Sequence, residues 1–483
     1  MKGTMAMMNT FDSVARLTGT WLNNSTNGTL DSATYGYNTG NQRTTFTNAA
    51  GTYLGYTYDP IGQLKIADSS VNTEDRRYVY DAAWNLNYRT NNTTTYTFNV
   101  DGKNQLTNGT LMSNQAYDGN GNLTFGRTSS SSSEGYSYDD ENQLANWYSY
   151  GDKSNGNGQP ITASDLRTEF VYDGKGRLRK RLEYTATGAG PYSWALSATT
   201  TYIYDGMRVI QERNASNVPQ VSYTRGSDLS GSLEGAGGIG GLLGRSHAYQ
   251  TASGNWTNHN FYHADGNGNV TYLVNSSQTL AASYRYDPFG NTTASSGSLA
   301  SANVYRFSSK ETHVNSGLYY YGYRWYAPSL QRWLNRDPRL DAGHKLVRQA
   351  CTACDASVQF DGNAFRFCDN KPVTGYDAFG LLTQEQCEAR FDKAKKAADR
   401  EAAKCAASAL KWGLVLEIVL GGGGAAGGAA LGGPPGAGVG AFCGTGVAAI
   451  IDLMHYSHCM EKYNKIIKDA KDALKECEGR ANE

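Results

Sequence analysis

Phe170-Val-Tyr-Asp-Gly-Lys-Gly-Arg-Leu178 is the stretch on which the fold turns. Alternation places Phe170 and Tyr172 on one face of an extended strand, because successive side chains point to opposite faces. Asp173 and Gly176 then make a turn, with glycine supplying the positive φ. Leu178 opens the next strand. The unit is therefore a β-hairpin, and it recurs. Tyr56-Thr-Tyr58-Asp59 is followed by Gly62 and Leu64, Tyr78-Val-Tyr80-Asp81 by Leu86, and Tyr96-Thr-Phe98 by Asp101 and Leu106. Further copies are Tyr117-Asp118 with Gly121 and Leu123, and Tyr136-Ser-Tyr138-Asp139 with Leu144. Tyr202-Ile-Tyr204-Asp205-Gly206 and Tyr284-Arg-Tyr286-Asp287 with Gly290 close the series. One hairpin cannot bury its aromatic face alone, so neighbours are expected to stack into a long sheet over residues 1–304. The Gly/Ser-rich stretches 129–133 and 227–244 read as loops or insertions, and the rings as packing rather than ligand contacts.

The 483 residues carry 44 basic and 44 acidic side chains, so no overall field draws the chain to nucleic acid. The opening MKGTMAMMNTFDSVARLTGTW has no apolar core region, so no signal peptide is expected there. The absence of a capping region leaves room for the chain to be the tail of a longer polypeptide. Cysteine occurs only from Cys351 onward, which confines thiol chemistry to the C-terminal part.

A second informative stretch runs from Tyr305 to Leu381. It packs Tyr319, Tyr320, Tyr321, Tyr323, Trp325, Tyr326 and Trp333 into fifteen residues, a density that suits strands with rings on both faces. With the Tyr-x-Tyr-Asp-x-x-Gly units before it, the run Gly317-Leu-Tyr-Tyr-Tyr-Gly-Tyr-Arg-Trp-Tyr326, the Arg336-Asp337-Pro338 triplet and Asn370-Lys-Pro372 leading to Asp377-x-x-Gly380-Leu381 resemble the Rhs/YD-repeat family. The likeness covers about the first 380 residues; residues 305–381 resemble its Rhs repeat-associated core domain. It implies a mostly β fold, a sheet spiralling into a hollow shell closed by the core domain and enclosing a C-terminal polypeptide. It also implies an aspartyl self-cleaving activity that cuts after the Leu of Asp-Pro-x-Gly-Leu, here Leu381–Leu382. Asp337 and Asp377, with Arg336 nearby, are the residues the resemblance puts in that role. Two close carboxylates do not both ionise cheaply; the ionised one activates water and the protonated one polarises the scissile carbonyl. Ala378 stands where the family has Pro, and 341–360 is longer than the family's link. Asp361 and Asp369 are additional carboxylates near in sequence, and turn-capping is the bland reading of all these aspartates.

Cys351, Cys354 and Cys368 with His344 admit a zinc site, but disulfide or free thiol is the preferred reading, and no metal or cofactor is assigned. His455, His458 and Cys459 form the tail's only histidine cluster, read as an interfacial polar face.

Beyond Leu381 the composition changes to Ala/Lys/Glu-rich helix, then Gly/Ala-rich, then helix again, with basic and acidic residues in balance. Cys387 and Cys405 are eighteen residues apart, as are Cys459 and Cys477. Eighteen residues is about five helical turns, so each pair shares a face. Facing positions of an antiparallel hairpin have a constant sum of residue numbers. Cys387 with Cys477 and Cys405 with Cys459 share one such sum, whose midpoint is Gly432, beside Pro434-Pro435. Gly424, Gly428 and Gly432, and Gly436, Gly440 and Gly444, run at four-residue steps in the same register, the small-residue spacing of membrane helix packing. Residues 382–483 are therefore expected to form an α-helical hairpin with two disulfide-clamped stems and membrane-type arms, which needs an oxidising compartment. A soluble hairpin packed inside the shell is the alternative.

The function these features point to is a secreted or cell-surface bacterial carrier that cages and releases a membrane-inserting effector. Its partners would be a target membrane, a cognate immunity protein and secretion machinery, with no nucleic acid. The other readings are a surface protein anchored by the hairpin in its own membrane, and an enzymatic effector of unseen type.

Overall fold

A computed structural model describes residues 5–129, 132–150, 162–338 and 363–381. Residues 1–337 and 363–381 form one compact unit. The expected helical hairpin, Leu382, the disulfide cysteines Cys387, Cys405, Cys459 and Cys477, and the glycines Gly424 to Gly444 lie outside the described residues. So do Cys351, Cys354, His344, His455 and His458.

The compact unit is mostly β. Ten strands, from β1 (Ala6–Phe11) to β10 (Leu106–Gly109), form one antiparallel sheet in sequence order. Fourteen more, from β11 (Ser113–Tyr117) to β24 (Thr292–Ser296), form a second in the same manner. This order follows from the turn. In every copy but that of Asp205, which pairs directly with Arg208, the Asp Oδ1 accepts the N–H groups two and four residues on: Asp59 from Ile61 (3.0 Å) and Gln63 (2.8 Å), Asp173 from Lys175 (3.0 Å) and Arg177 (3.1 Å). The third residue on takes a left-handed conformation, φ 86° at Gly62 and 73° at Gly176, but also 64° at Trp84 and 61° at Asn142. Asparagine does the same work where aspartate is absent. Asn48 accepts from Ala50 and Thr52, and Asn214 from Ser216 and Val218. Those copies escape the aspartate pattern, and an Asx residue with a left-handed residue three positions on is the signal that finds them.

In five copies the second tyrosine does more than pack. Its hydroxyl donates to the main-chain carbonyl of the Leu (or Val) of an earlier copy: Tyr80 to Leu64 (2.9 Å), Tyr138 to Leu123 (2.9 Å), Tyr172 to Leu144 (2.8 Å), Tyr204 to Leu178 (2.8 Å) and Tyr286 to Val270 (2.7 Å). Adjacent hairpins are thereby pinned by a side-chain bond in addition to the ladder. The leucines themselves are buried, with Leu64 and Leu178 fully so.

The aromatic run does form strands, and they are short: β25 (Glu311–Thr312), β26 (Tyr319–Tyr320), β27 (Trp325–Ala327) and β28 (Arg332–Trp333) are two or three residues each. Their rings are buried on every side: Phe367 stacks on Tyr326 at 4.0 Å, and Tyr321 and Trp333 meet edge-on at 5.1 Å. With both faces buried, composition carries no alternation from which strand length can be read. The serine run, read as a loop or insertion, falls where strands Leu123–Ser129 and Ser132–Tyr138 pair directly, Ser129 opposite Ser132. Of the 227–244 stretch, 227–241 is turn-rich as expected, gathered around Asp228, whose Oδ2 accepts the N–H groups of Ala236 (2.7 Å) and Gly238 (3.0 Å), while 242–244 open the strand Leu242–Gln250.

Candidate active site

The residues 363–381 thread back into the core beneath the aromatic run. Trp333 N–H donates to Phe365 O (2.9 Å) and Asp337 N–H to Ala364 O (3.2 Å). These bonds set Asp337, which is 2% exposed, next to the returning chain. Asp377 arrives from the other side at the head of a tight turn. Its Oδ1 accepts the N–H groups of Phe379 (3.3 Å), Gly380 (2.7 Å) and Leu381 (3.1 Å).

Between the two carboxylates lies Arg324. Its Nη2 donates to Asp337 Oδ2 at 2.7 Å and stands 3.7 Å from Asp377 Oδ2. Nη1 donates to Ala364 O at 3.1 Å, Nε to Gly380 O, and the guanidinium lies 4.2 Å from the Trp333 ring centre. Arg324 was not singled out by sequence. The arginine expected at the site, Arg336, passes over Gly121, where a Cβ would stand 2.8 Å from its Nε. Adjacent residues on an extended chain project to opposite sides, so Asp337 faces inward while Arg336 is only half-buried. An arginine inside a run of buried rings is the signal that points to Arg324, since a buried guanidinium requires an acidic partner.

Arg324 is shared between two buried carboxylates, and the cluster favours holding a proton on Asp377. Burial is the largest influence on Asp377, and the Asp337 charge adds to it. Arg324 and the N–H groups of Gly380 and Leu381 oppose, and the pKa stands at about 6. Burial lowers the Arg324 pKa from its usual range. Cys368 nearby is a free thiol whose pKa burial pushes well above its ordinary value. Asp369 pairs with Arg366 at 2.6 Å, which occupies one of the extra carboxylates. Among the described residues no group of His, Cys, Asp and Glu is arranged to hold a metal ion. No helix there is long and apolar enough to cross a membrane.

The sequence relatives of this chain are toxins. The chain is 28% identical over 343 residues to the tRNA3(Ser)-specific nuclease WapA of Bacillus spizizenii, covering 70% of this chain and 11% of that protein. It is 22% identical over 300 residues to the double-stranded DNA deaminase toxin A of Burkholderia cenocepacia, covering 59% of this chain and 19% of the relative. Toxin subunit YenC1 of Yersinia entomophaga is 36% identical over 112 residues, 22% of this chain and 10% of that one. The chain thus spans about a tenth of the WapA protein's length. The crystal structure of TcdB2-TccC3-TEV superposes with a TM-score of 0.44 at 18% identity, over 78% of this chain and 20% of that one. No family model matches the chain.

Proposed function

We propose that this chain is an Rhs-type carrier whose repeat strands form a shell around a C-terminal polypeptide, which it releases by cutting its own Leu381–Leu382 bond. The observation that supports this is Arg324 held between Asp337 and Asp377, with Asp377 heading the turn that ends at Leu381. Asp337, paired with Arg324, is the ionised base. It takes a proton from water as the water oxygen adds to the Leu381 carbonyl. Asp377, whose pKa burial raises to about 6, gives its proton to the carbonyl oxygen. On collapse the C–N bond breaks, the proton on Asp337 passes to the leaving amine of Leu382, and Asp377 recovers its proton from the gem-diol.

The released segment, 382–483, acts as a membrane-inserting helical hairpin in this reading. The register shared by Cys387, Cys477, Cys405 and Cys459 with the glycine series supports it. Its partners are a target membrane, an immunity protein and secretion machinery, and its place is outside the bacterial cytosol. The deciding measurement is the intact mass under denaturing, non-reducing conditions. Two species matching 1–381 and 382–483 are expected, the second lighter by four hydrogens for two disulfides. A single full-length mass refutes release and leaves an anchored surface protein as the reading.

A further inference from the structure

Three successive carbonyls of the 377–381 segment are each taken by a donor from residues 310–324. Phe379 O accepts the Tyr323 N–H at 3.2 Å, Gly380 O accepts Arg324 Nε, and Ala378 O accepts Lys310 Nζ at 2.5 Å. The first donor is main chain, and the second also serves Asp337. Lys310 has no such second duty. Its acceptors are the carbonyls of Ala378 and Gly237 (2.9 Å) rather than carboxylates, and the rings of Tyr321 and Phe379 lie 5.1 and 5.8 Å from its nitrogen. Burying an ammonium against neutral acceptors is costly, and burial lowers the Lys310 pKa to about 7. The cradle is shaped for the carbonyl it holds: a Cβ at Gly237 would stand 1.8 Å from Ala378 O.

The peptide being held is the informative one. Ala378 C=O and Phe379 N–H belong to a single planar unit. Its carbonyl accepts from Lys310, and its N–H donates to Asp377 Oδ1 at 3.3 Å. Lys310 therefore reaches Asp377 through one rigid peptide.

We infer that Lys310 is a positioning residue for the self-cleavage, fixing the Asp377 carboxyl against Arg324 and Asp337 through the Ala378–Phe379 peptide. The inference rests on the self-cleavage reading above. Asp377 is faced by Arg324, Asp337, Lys310 and the Cys368 thiol, and Lys310 by Asp377, Arg225 and Asp228. Losing the amine removes a cation and loosens an N–H donor, both of which favour ionised Asp377. The proton of Asp377 is then retained to higher pH.

The test uses the full chain made by pulsed cell-free synthesis, with the split followed by intact mass from pH 4 to 9. Lys310→Met is expected to cleave about ten- to a hundredfold more slowly, with the alkaline limb of its pH profile moved upward. Lys310→Arg is expected to restore the limb and part of the rate. Gly237→Ala keeps the lysine but sets a Cβ 1.8 Å from Ala378 O and 2.9 Å from Lys310 Nζ, so it pushes both partners of that bond aside, and is expected to slow cleavage likewise. Wild-type rate and profile in both Lys310→Met and Gly237→Ala overturn the inference. So does a slower Lys310→Met with an unmoved limb, which marks a merely structural lysine. A wild-type chain that never splits, or an Asp377→Asn chain that splits normally, overturns the self-cleavage reading itself and this inference with it.

Discussion

Replacing Tyr204 with Phe removes one oxygen and nothing else. That oxygen is the donor that pins its copy to the Leu178 carbonyl at 2.8 Å. Burial pushes the phenol pKa well above its ordinary value, so the hydroxyl is a donor throughout the physiological range. Leu178 is fully buried, and its N–H goes to another tyrosine hydroxyl, that of Tyr320, at 3.0 Å. Without Tyr204 its carbonyl loses this partner, out of reach of water. A neutral hydrogen bond contributes about 1 kcal/mol net, and a stranded buried acceptor raises the cost to about 1–3 kcal/mol. Tyr80, Tyr138 and Tyr286 make the equivalent bond in other copies. Sites this far apart in the array add to within about half a kcal/mol, so the quadruple Phe variant is expected to lose about 4–12 kcal/mol. Urea unfolding, followed by fluorescence and far-UV circular dichroism, reads this as a lower midpoint at unchanged slope. Tyr88→Phe, at a ring 48% exposed, is the control and is expected to stay within about 0.5 kcal/mol. Single variants that each cost less than about 0.3 kcal/mol would refute the idea that the hydroxyls pin the repeats.

Asp337→Asn deprives buried Arg324 of its closest carboxylate and the reaction of its base. The split measured by intact mass is expected to slow by at least about a thousandfold, and a wild-type rate would remove Asp337 from the mechanism. Because Asp377 must carry a proton, self-cleavage is expected to fall as pH rises through about 6, its raised pKa; a rate that climbs across that window would reverse the two assignments. Stability should follow the same groups. The contribution of neutral Asp377 is present at low pH and lost as pH rises through about 6, whereas that of Lys310 is present at high pH and lost as pH falls through about 7. Urea midpoints of Asp377→Asn and Lys310→Met across pH 4 to 9 check both signs. Phe367→Ala empties a site 1% exposed and stacked on Tyr326 at 4.0 Å. It is expected to cost about 3–5 kcal/mol, and a thermal midpoint near wild type would contradict the packing described.

The repeats were legible in the sequence because their cause is local. An Asx residue, a left-handed residue three positions on and a buried Leu five positions on act within one turn, so Phe170 to Leu178 carries the whole instruction for a hairpin. The copies built on Asn48 and Asn214 were missed because asparagine accepts the same two N–H bonds without matching the aspartate pattern. The pinning role of Tyr204 was also hidden, since its acceptor lies in another copy.

Asp337 and Asp377 were named from the sequence, but their surroundings were not. Gly237, Lys310, Arg324 and the 377–381 turn come from distant stretches, and what unites them is a buried charge that has to be paired. Local rules act over a few residues, where main-chain hydrogen bonds reach. Which arginine stands between the carboxylates, and which lysine, 68 residues away, holds Ala378, is settled when the chain closes on itself and desolvation leaves each polar group only the partners that packing brings to it.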